Sequence, residues 1–178
     1  TKEAVFSWLV SRDAVEGRHV LDLFAGTGAL GIEALSRGAV GLVAVDSSAS
    51  AASGLSKAVR ELANRRGVAD PPTTRVVRAR AERFVASCHG RFGLVFVDPP
   101  YALGTSACSE LLDVLFSRGV VEDDGLVVLE RSARDEEPRP GMAASDGRSW
   151  SISERRDYGE TAVYYCVAAS EGDVATGA

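Results

Sequence analysis

Short apolar runs alternate with helical patterns along most of this chain. Val5, Trp8 and Leu9 fall at i, i+3 and i+4 with Phe6 beside them, predicting a helix from Lys2 to about Arg12 that Gly17 breaks. Arg18–Phe24 reads as a strand carrying Val20, Leu21 and Leu23. A glycine-rich turn, Ala25 to Gly31, runs into a helix reaching about Ser36, which Gly38 ends. Val40–Val45 is a second strand closed by Asp46, and Ser47 and Ser48 are N-cap candidates for a helix to about Arg65. A loop at Gly67–Pro72 precedes a strand over Thr73–Ala79 and a short helix over Ala81–Cys88. A fourth, apolar strand from Phe92 then leads into Val97-Asp98-Pro99-Pro100-Tyr101. Ser106–Arg118 is helical, with Leu111, Leu112 and Leu115 on one face. Val121 begins a segment with a turn at Asp123-Asp124-Gly125 before a fifth strand, Leu126–Glu130. Ser132–Gly147 is rich in charge, Pro and Gly and reads as a mobile loop. Trp150–Arg156 and Thr161–Ala168 alternate about Tyr158-Gly159-Glu160 and predict a closing hairpin.

Strands alternating with helices imply a doubly wound α/β domain. Its mostly parallel sheet has helices on both faces, three layers in all, and the hairpin adds a final antiparallel strand. If the hairpin's first strand is parallel to the rest, the turn at Tyr158–Thr161 shares a rim with Asp98. One domain is expected over residues 1–169, with a small polar tail, 170–178, disordered.

Composition narrows the function classes. With 178 residues and 46% hydrophobic content the chain can bury a real core. No stretch approaches a membrane span and no signal peptide is visible, so a reducing cytoplasm is the expected location. Cys88, Cys108 and Cys166 are far apart and odd in number, and His19 and His89 are isolated; neither a disulfide framework nor a metal site is expected. The net charge of −5 argues against sequence-independent nucleic-acid binding, although Arg75, Arg78, Arg80, Arg83 and Arg91 bunch locally. The chain starts at Thr1 rather than Met, and upstream sequence is expected to have been removed.

Two motifs carry chemistry. Gly26-x-Gly28-x-x-Gly31 follows a strand and opens a helix, and Asp46 ends the next strand. That pattern fits a dinucleotide, and with it an NAD-dependent oxidoreductase. Asp22, inside the first strand and close to the loop, repels a pyrophosphate and suits a cationic amino group instead. A methyl donor with an amino-acid end, a ribose and an adenine accounts for Asp22 and Asp46 together; S-adenosylmethionine is that molecule. The second motif is Asp98-Pro99-Pro100-Tyr101. Its prolines force a sharp turn at a strand's carboxyl end, where open α/β sheets bind ligands. An ionised Asp98 and the Pro99 carbonyl are neighbouring acceptors, matching the two hydrogens of a planar NH2 group. Tyr101 offers a ring on which a base can stack. On these residues alone, an amine clamp and a packed Pro-Pro turn are equally good readings.

Longer stretches tie the motifs together. Asp22-Leu-Phe-Ala-Gly-Thr-Gly-Ala-Leu-Gly-Ile-Glu-Ala-Leu-Ser-Arg37, the helix Lys2-Glu-Ala-Val-Phe-Ser-Trp-Leu9, Phe96-Val-Asp-Pro-Pro-Tyr101 and Tyr158-Gly-Glu-Thr161 occur in order and at matching spacing. In these the chain resembles, over nearly its whole length, the bacterial 16S ribosomal RNA guanine-N2 methyltransferases of the RsmD type. The Asp-Pro-Pro-Tyr corner alone marks only amino-methyltransferases; the combination is more specific. The resemblance implies the seven-stranded, Rossmann-like class I methyltransferase sheet with its last strand antiparallel. It implies S-adenosylmethionine as cofactor. It implies as substrate a guanine of 16S rRNA in the head of the small ribosomal subunit, near the P-site, in an assembled or assembling particle. A monomer is expected. Asp22 and the loop of Phe24, Ala25, Gly26 and Gly28 would face the methionine end and ribose, Asp46 with Ser47 the ribose hydroxyls, and Ala81 the adenine. Asp98, Pro99 and Tyr101 would be catalytic and, with Pro100, would hold the guanine. Two departures stand out: Arg80 replaces the Asp or Asn frequent near the adenine, and an upstream basic Arg-Pro-Thr segment is absent.

The implied reaction is an in-line methyl transfer. The guanine N2 lone pair is conjugated into the ring, so the amine is a poor nucleophile. Asp98 and the Pro99 carbonyl would draw its hydrogens toward tetrahedral geometry, and the carboxylate would stabilise the positive charge that develops. The guanine must be extruded to reach them. An adenine-N6 or cytosine-N4 methyltransferase of DNA or RNA is the nearest rival, and small size and the lack of a target-recognition insert speak against it. Glutamine-methylating enzymes usually carry Asn at the place of Asp98, and a non-catalytic RNA-binding module has no need of Asp22, Asp46 and Asp98 together. Glu130 is read as touching the pocket or as structural.

Overall fold

The computed structural model describes residues 1–66, 72–141 and 148–170. β1 (His19–Leu23), β2 (Gly41–Asp46), β3 (Thr73–Arg78), β4 (Phe92–Val97), β5 (Val121–Ser132), β6 (Trp150–Tyr158) and β7 (Thr161–Ala168) form one seven-stranded sheet in the order β3-β2-β1-β4-β5-β7-β6. The first five strands are parallel, and β7 inserts antiparallel between β5 and β6. β6 therefore runs with the parallel strands and delivers Tyr158 to the rim where β4 ends. The chain winds outward from β1 to β3 and returns at β4, beside β1. That reversal opens a crevice at the carboxyl ends of β1 and β4.

Helices on both faces give the sheet its two cores. On one face α1 (Lys2–Val10), α2 (Ala29–Ser36) and α3 (Ala49–Arg66) pack Phe6, Leu9, Leu35 and Leu55 onto Val20, Leu94, Phe96 and Val128. On the other, α4 (Ala81–Ser87) and α5 (Thr105–Ser117) pack Val85, Leu112 and Leu115 onto Leu21, Val95 and Leu129. α1 is also tied to the far edge of the sheet. Trp8 stacks on Tyr165 of β7 at 3.7 Å and donates from Nε1 to Glu154 of β6 at 3.0 Å. No helix among the described residues is long and apolar enough to cross a membrane.

Element ends fall one or two residues from the sequence reading in most elements, and two features differ in kind. Ser11 and Arg12 lie in a turn after α1 rather than in the helix. The turn expected at Asp123-Asp124-Gly125 is a wide bulge inside a continuous β5, where Phe92 pairs with Val121 but Leu94 pairs with Leu126. A Cβ at Gly125 would lie 2.9 Å from the Glu122 carbonyl oxygen, so the chain folds back on itself and rejoins the ladder. The supposedly mobile loop has its first residue, Ser132, in β5, and its described part is strapped to α5. Arg139 N–H donates to Ser109 Oγ at 3.2 Å, and Gly141 N–H donates to the Asp113 carboxylate at 3.1 Å. Trp150 Nε1 donates to the same carboxylate at 2.7 Å. The rest of that loop, 142–147, and the tail 171–178 lie outside the described residues.

Candidate active site

Side chains two apart on a strand share a face of the sheet. Val20, Ala44, Phe96 and Val128 all belong to the core under α1–α3, and two residues beyond each stands an acid: Asp22, Asp46, Asp98 and Glu130. The four carboxylates thus cross the ends of β2, β1, β4 and β5 in one row. Asp22 lies deeper than the others, because it pairs with Ala44 and Phe96, two residues below Asp46 and Asp98. Val97 pairs with Leu129, which brings Asp98, just past the end of β4, beside Glu130 of β5.

Burial raises the proton affinity of Asp22, Asp98 and Glu130. Asp22 is 1% exposed, and burial pushes its carboxyl up to about 7, with Asp98, Asp46 and Glu130 adding repulsion. One bond opposes the shift, donated by Gly31 N–H to Asp22 Oδ2 at 3.1 Å. Burial, and then the charge of Asp98, push Glu130 up to about 7 as well. Burial also raises Asp98. Such a row is stabilised by a cation entering beside it and repels a pyrophosphate.

The glycine loop is held against the row. Ala25 N–H donates to the Val45 carbonyl at 2.9 Å and Gly28 N–H to the Ala25 carbonyl at 2.8 Å. Phe24 has a φ of 59° and Gly28 one of 82°, in the left-handed region. At Gly28 a Cβ would lie 2.0 Å from Leu55 Cδ1, so α3 closes on the loop only because no side chain is there. Asp46 accepts from Gly26 N–H and Ser48 N–H, each at 2.8 Å. An ionised carboxylate has about four lone-pair sites, so acceptor capacity is left for hydroxyl groups. At the corner beyond β4, Leu103 N–H donates to the Pro100 carbonyl at 3.0 Å and fixes the turn. Tyr101 stands 90% exposed.

A two-lobed cavity opens over these elements. The larger lobe, about 600 Å³, is walled by Asp98-Pro99-Pro100-Tyr101 on one side and by Glu130, Ser132 and Thr161 on another. The smaller, about 340 Å³, is walled by Arg80, Ala81, Ala102 and Leu103. Phe24, Asp46, Ser47 and Pro100 belong to both. Eight of the expected site residues therefore meet here: Phe24, Asp46, Ser47, Ala81, Asp98, Pro99, Pro100 and Tyr101. Asp22, Ala25, Gly26 and Gly28 do not line the cavity. Asp22, 1% exposed, lies deeper in β1 than Asp46 does in β2. Glu130, which the sequence reads as touching the pocket or as structural, lines the wall, as does Thr161, to which the sequence reading gives no role. The two-residue step from Val128 is the signal that marks Glu130, and Thr161 closes the Tyr158-Gly159-Glu160-Thr161 stretch. An elongated cation with a flat group at one end fits this arrangement, as S-adenosylmethionine does.

Comparison with known proteins agrees with the geometry. The family model described as conserved hypothetical protein 95 matches residues 1–167. The chain is 32% identical over 174 residues to Escherichia coli K12 ribosomal RNA small subunit methyltransferase D, covering 97% of this chain and 79% of that one. Among solved structures, a putative methyltransferase, yhhF, from Escherichia coli superposes with a TM-score of 0.78 at 29% identity, over 95% of this chain and 86% of its own. Magnesium protoporphyrin IX methyltransferase from Synechocystis PCC 6803 shares the fold with a TM-score of 0.67 at 17% identity, over 95% of this chain and 78% of its own.

Proposed function

We propose, from the premise that this chain belongs to the conserved hypothetical protein 95 family, that it methylates the exocyclic N2 amine of a guanine in 16S ribosomal RNA. It is a ribosomal RNA methyltransferase, and its methyl donor is S-adenosylmethionine. The choice of guanine N2 follows the family resemblance; the observation that carries methylation of a base amine is the juxtaposition across one cavity of an acid row suited to a cation and a proline corner suited to an amine. When bound, S-adenosylmethionine supplies an electrophilic methyl group on a cationic sulfur.

Each residue then has a task. Asp46 accepts from the ribose hydroxyls with the lone pairs that Gly26 and Ser48 leave free. Ala81 opens α4, whose N-cap makes no side-chain bond, and its amide is offered to the adenine in the smaller lobe. Arg80 is 80% exposed at that rim, its Nε 3.9 Å from the Glu82 carboxylate, and reads no base. Asp98 and the Pro99 carbonyl hold the two hydrogens of the target amine, and Tyr101 stacks on the extruded base. The proposed substrate is the assembled or assembling small subunit, and the enzyme acts as a cytoplasmic monomer.

The test is labelled methyl transfer to small subunits that lack the modification, with naked 16S RNA alongside. After digestion to nucleosides, N2-methylguanosine is expected. Label in N6-methyladenosine or N4-methylcytidine would reject the reading. Tyr101→Ala tests the stacking. Because Tyr101 projects into solvent, its loss is expected to leave thermal stability and S-adenosylmethionine affinity unchanged. A stacked base is worth about 1–3 kcal/mol, so KM for the subunit should rise by roughly five- to a hundredfold. An unchanged KM would remove Tyr101 from the site.

A further inference from the structure

We propose that Glu130 reads the N1–H of the target guanine, so that it and Asp98 take the two neighbouring donors of the base's edge. The inference rests on the guanine-N2 reading above and adds to it the residue that selects guanine.

The argument starts from the edge of the base. Guanine places N1–H directly beside its exocyclic amine, two donors in a row. Adenine places the acceptor N1 beside its amine, and cytosine places the acceptor N3. A corner that binds only an amine would accept all three bases. Whatever wall group stands next to Asp98 decides among them.

Four wall groups are near enough to consider. Arg131 is only 7% exposed and turns to the α5 side, where its guanidinium pairs with Asp135 at 3.0 Å. Ser132 and Thr161 pair across β5 and β7, and a hydroxyl both donates and accepts, so neither distinguishes an N–H from a bare ring nitrogen. Glu130 remains. It faces the larger lobe from the strand next to Asp98, and adjacent strands lie about 5 Å apart, close enough for two carboxylates to meet one purine edge. Its backbone pairs with Val163 in β7, and the residue before it, Leu129, pairs with Val97 of β4. Among the described residues no hydrogen bond or ion pair engages its carboxylate. A half-buried acid that no protein group engages, in a cavity wall, is free to accept from a donor on the ligand.

The protonation state agrees. With only the protein's own charges around it, Glu130 is raised to about 7. A cation bound in the row favours the ionised, acceptor-only form. That form welcomes N1–H and repels the lone pair of adenine N1 or cytosine N3.

2-Aminopurine is the discriminating probe, since it keeps the amine at C2 but has an acceptor at N1. The methylated guanine is first mapped, and small subunits are then reconstituted with guanine or 2-aminopurine at that position. For the wild-type protein and for Glu130→Gln, the ratio of kcat/KM on the two substrates is measured, which cancels their intrinsic reactivities. Gln has nearly the same shape and can turn an NH2 toward N1. The ratio is expected to fall at least about tenfold in Glu130→Gln, one misplaced donor or acceptor being worth this much or more. Glu130→Asp, which withdraws the carboxylate by one methylene, is expected to lose guanine transfer without gaining on 2-aminopurine. Calorimetry with S-adenosylmethionine checks that each variant keeps its cavity. An unchanged ratio in Glu130→Gln would overturn the assignment while leaving the guanine reading intact. Mapping of the wild-type product to adenine or cytosine would overturn both.

Discussion

Asp98→Ala is expected to lower kcat for methyl transfer by on the order of 10²–10³-fold while leaving S-adenosylmethionine affinity within a few-fold of wild type. The carboxylate matters most where positive charge grows on the amine nitrogen, and removing one such preorganised group costs about 3–4 kcal/mol in the transition state. The backbone of the corner does not depend on it. Pro99 is buried, and the Leu103–Pro100 bond at 3.0 Å holds the turn without Asp98. KM for the subunit should therefore change less than kcat, the signature of an interaction made mainly in the transition state. Asp98→Asn should fare little better, because an amide can point its NH2 at the substrate's NH2. The measurement is single-turnover methyl transfer on small subunits, with calorimetry for cofactor binding. Near-normal turnover in Asp98→Ala, or loss of cofactor binding as large as the loss of rate, would take the assigned role away. Burial raises Asp98, so wild-type turnover should climb with pH as the carboxyl ionises, and Asp98→Ala should lose that limb of the profile.

How much of this was legible beforehand follows from which facts are local. The alternation of apolar runs with helical periods is local, and it yields the parallel sheet and its two covered faces. The corner is local too, because two prolines after an acid allow the chain little else. The antiparallel close was readable from the hairpin, but the placing of β7 between β5 and β6 needed the sheet. Depth is partly readable: Asp22 reads as inside the first strand and Asp46 as ending the second, and register sets Asp22 two residues below Asp46. The strap over α5 was missed because Asp113 gathers Gly141 and Trp150 from far along the chain, while their composition speaks only of a loop. The β5 bulge was mistaken for a turn because Asp-Asp-Gly has turn chemistry in either setting. Arg18, bonded to Asp124 at 3.0 Å, anchors it to the sheet's lower edge.

Asp22→Asn is expected to make the protein more stable and a poorer binder of its cofactor. In the fold Asp22 keeps its proton up to about pH 7, whereas its ordinary value is 3.8. Between those values the folded state binds more protons than the unfolded one, so this group's contribution to stability falls as pH rises from about 4 to 7 and stays low above. At 1.36 kcal/mol per pKa unit the penalty at pH 8 is at most about 4 kcal/mol. Asn is neutral throughout and can still accept from Gly31 N–H, which donates to Asp22 at 3.1 Å. Melting of the cofactor-free variant at pH 8 should rise by several degrees, up to about 10 °C, and its stability should depend less on pH between 4 and 7. Glu130, shifted in the same direction, keeps part of that dependence. Affinity for S-adenosylmethionine should fall roughly tenfold or more, since the buried negative charge beneath the cavity, which solvent does not screen, is gone. The wild-type protein should release protons when it binds S-adenosylmethionine near pH 7, which calorimetry in buffers of different ionisation enthalpy detects, and Asp22→Asn should release fewer. A destabilised variant that binds S-adenosylmethionine as tightly as wild type would show that Asp22 merely braces the loop. Stability gained with affinity lost is what a site produces when its buried charge is kept for a ligand, because the fold carries that charge at its own expense until the cation arrives.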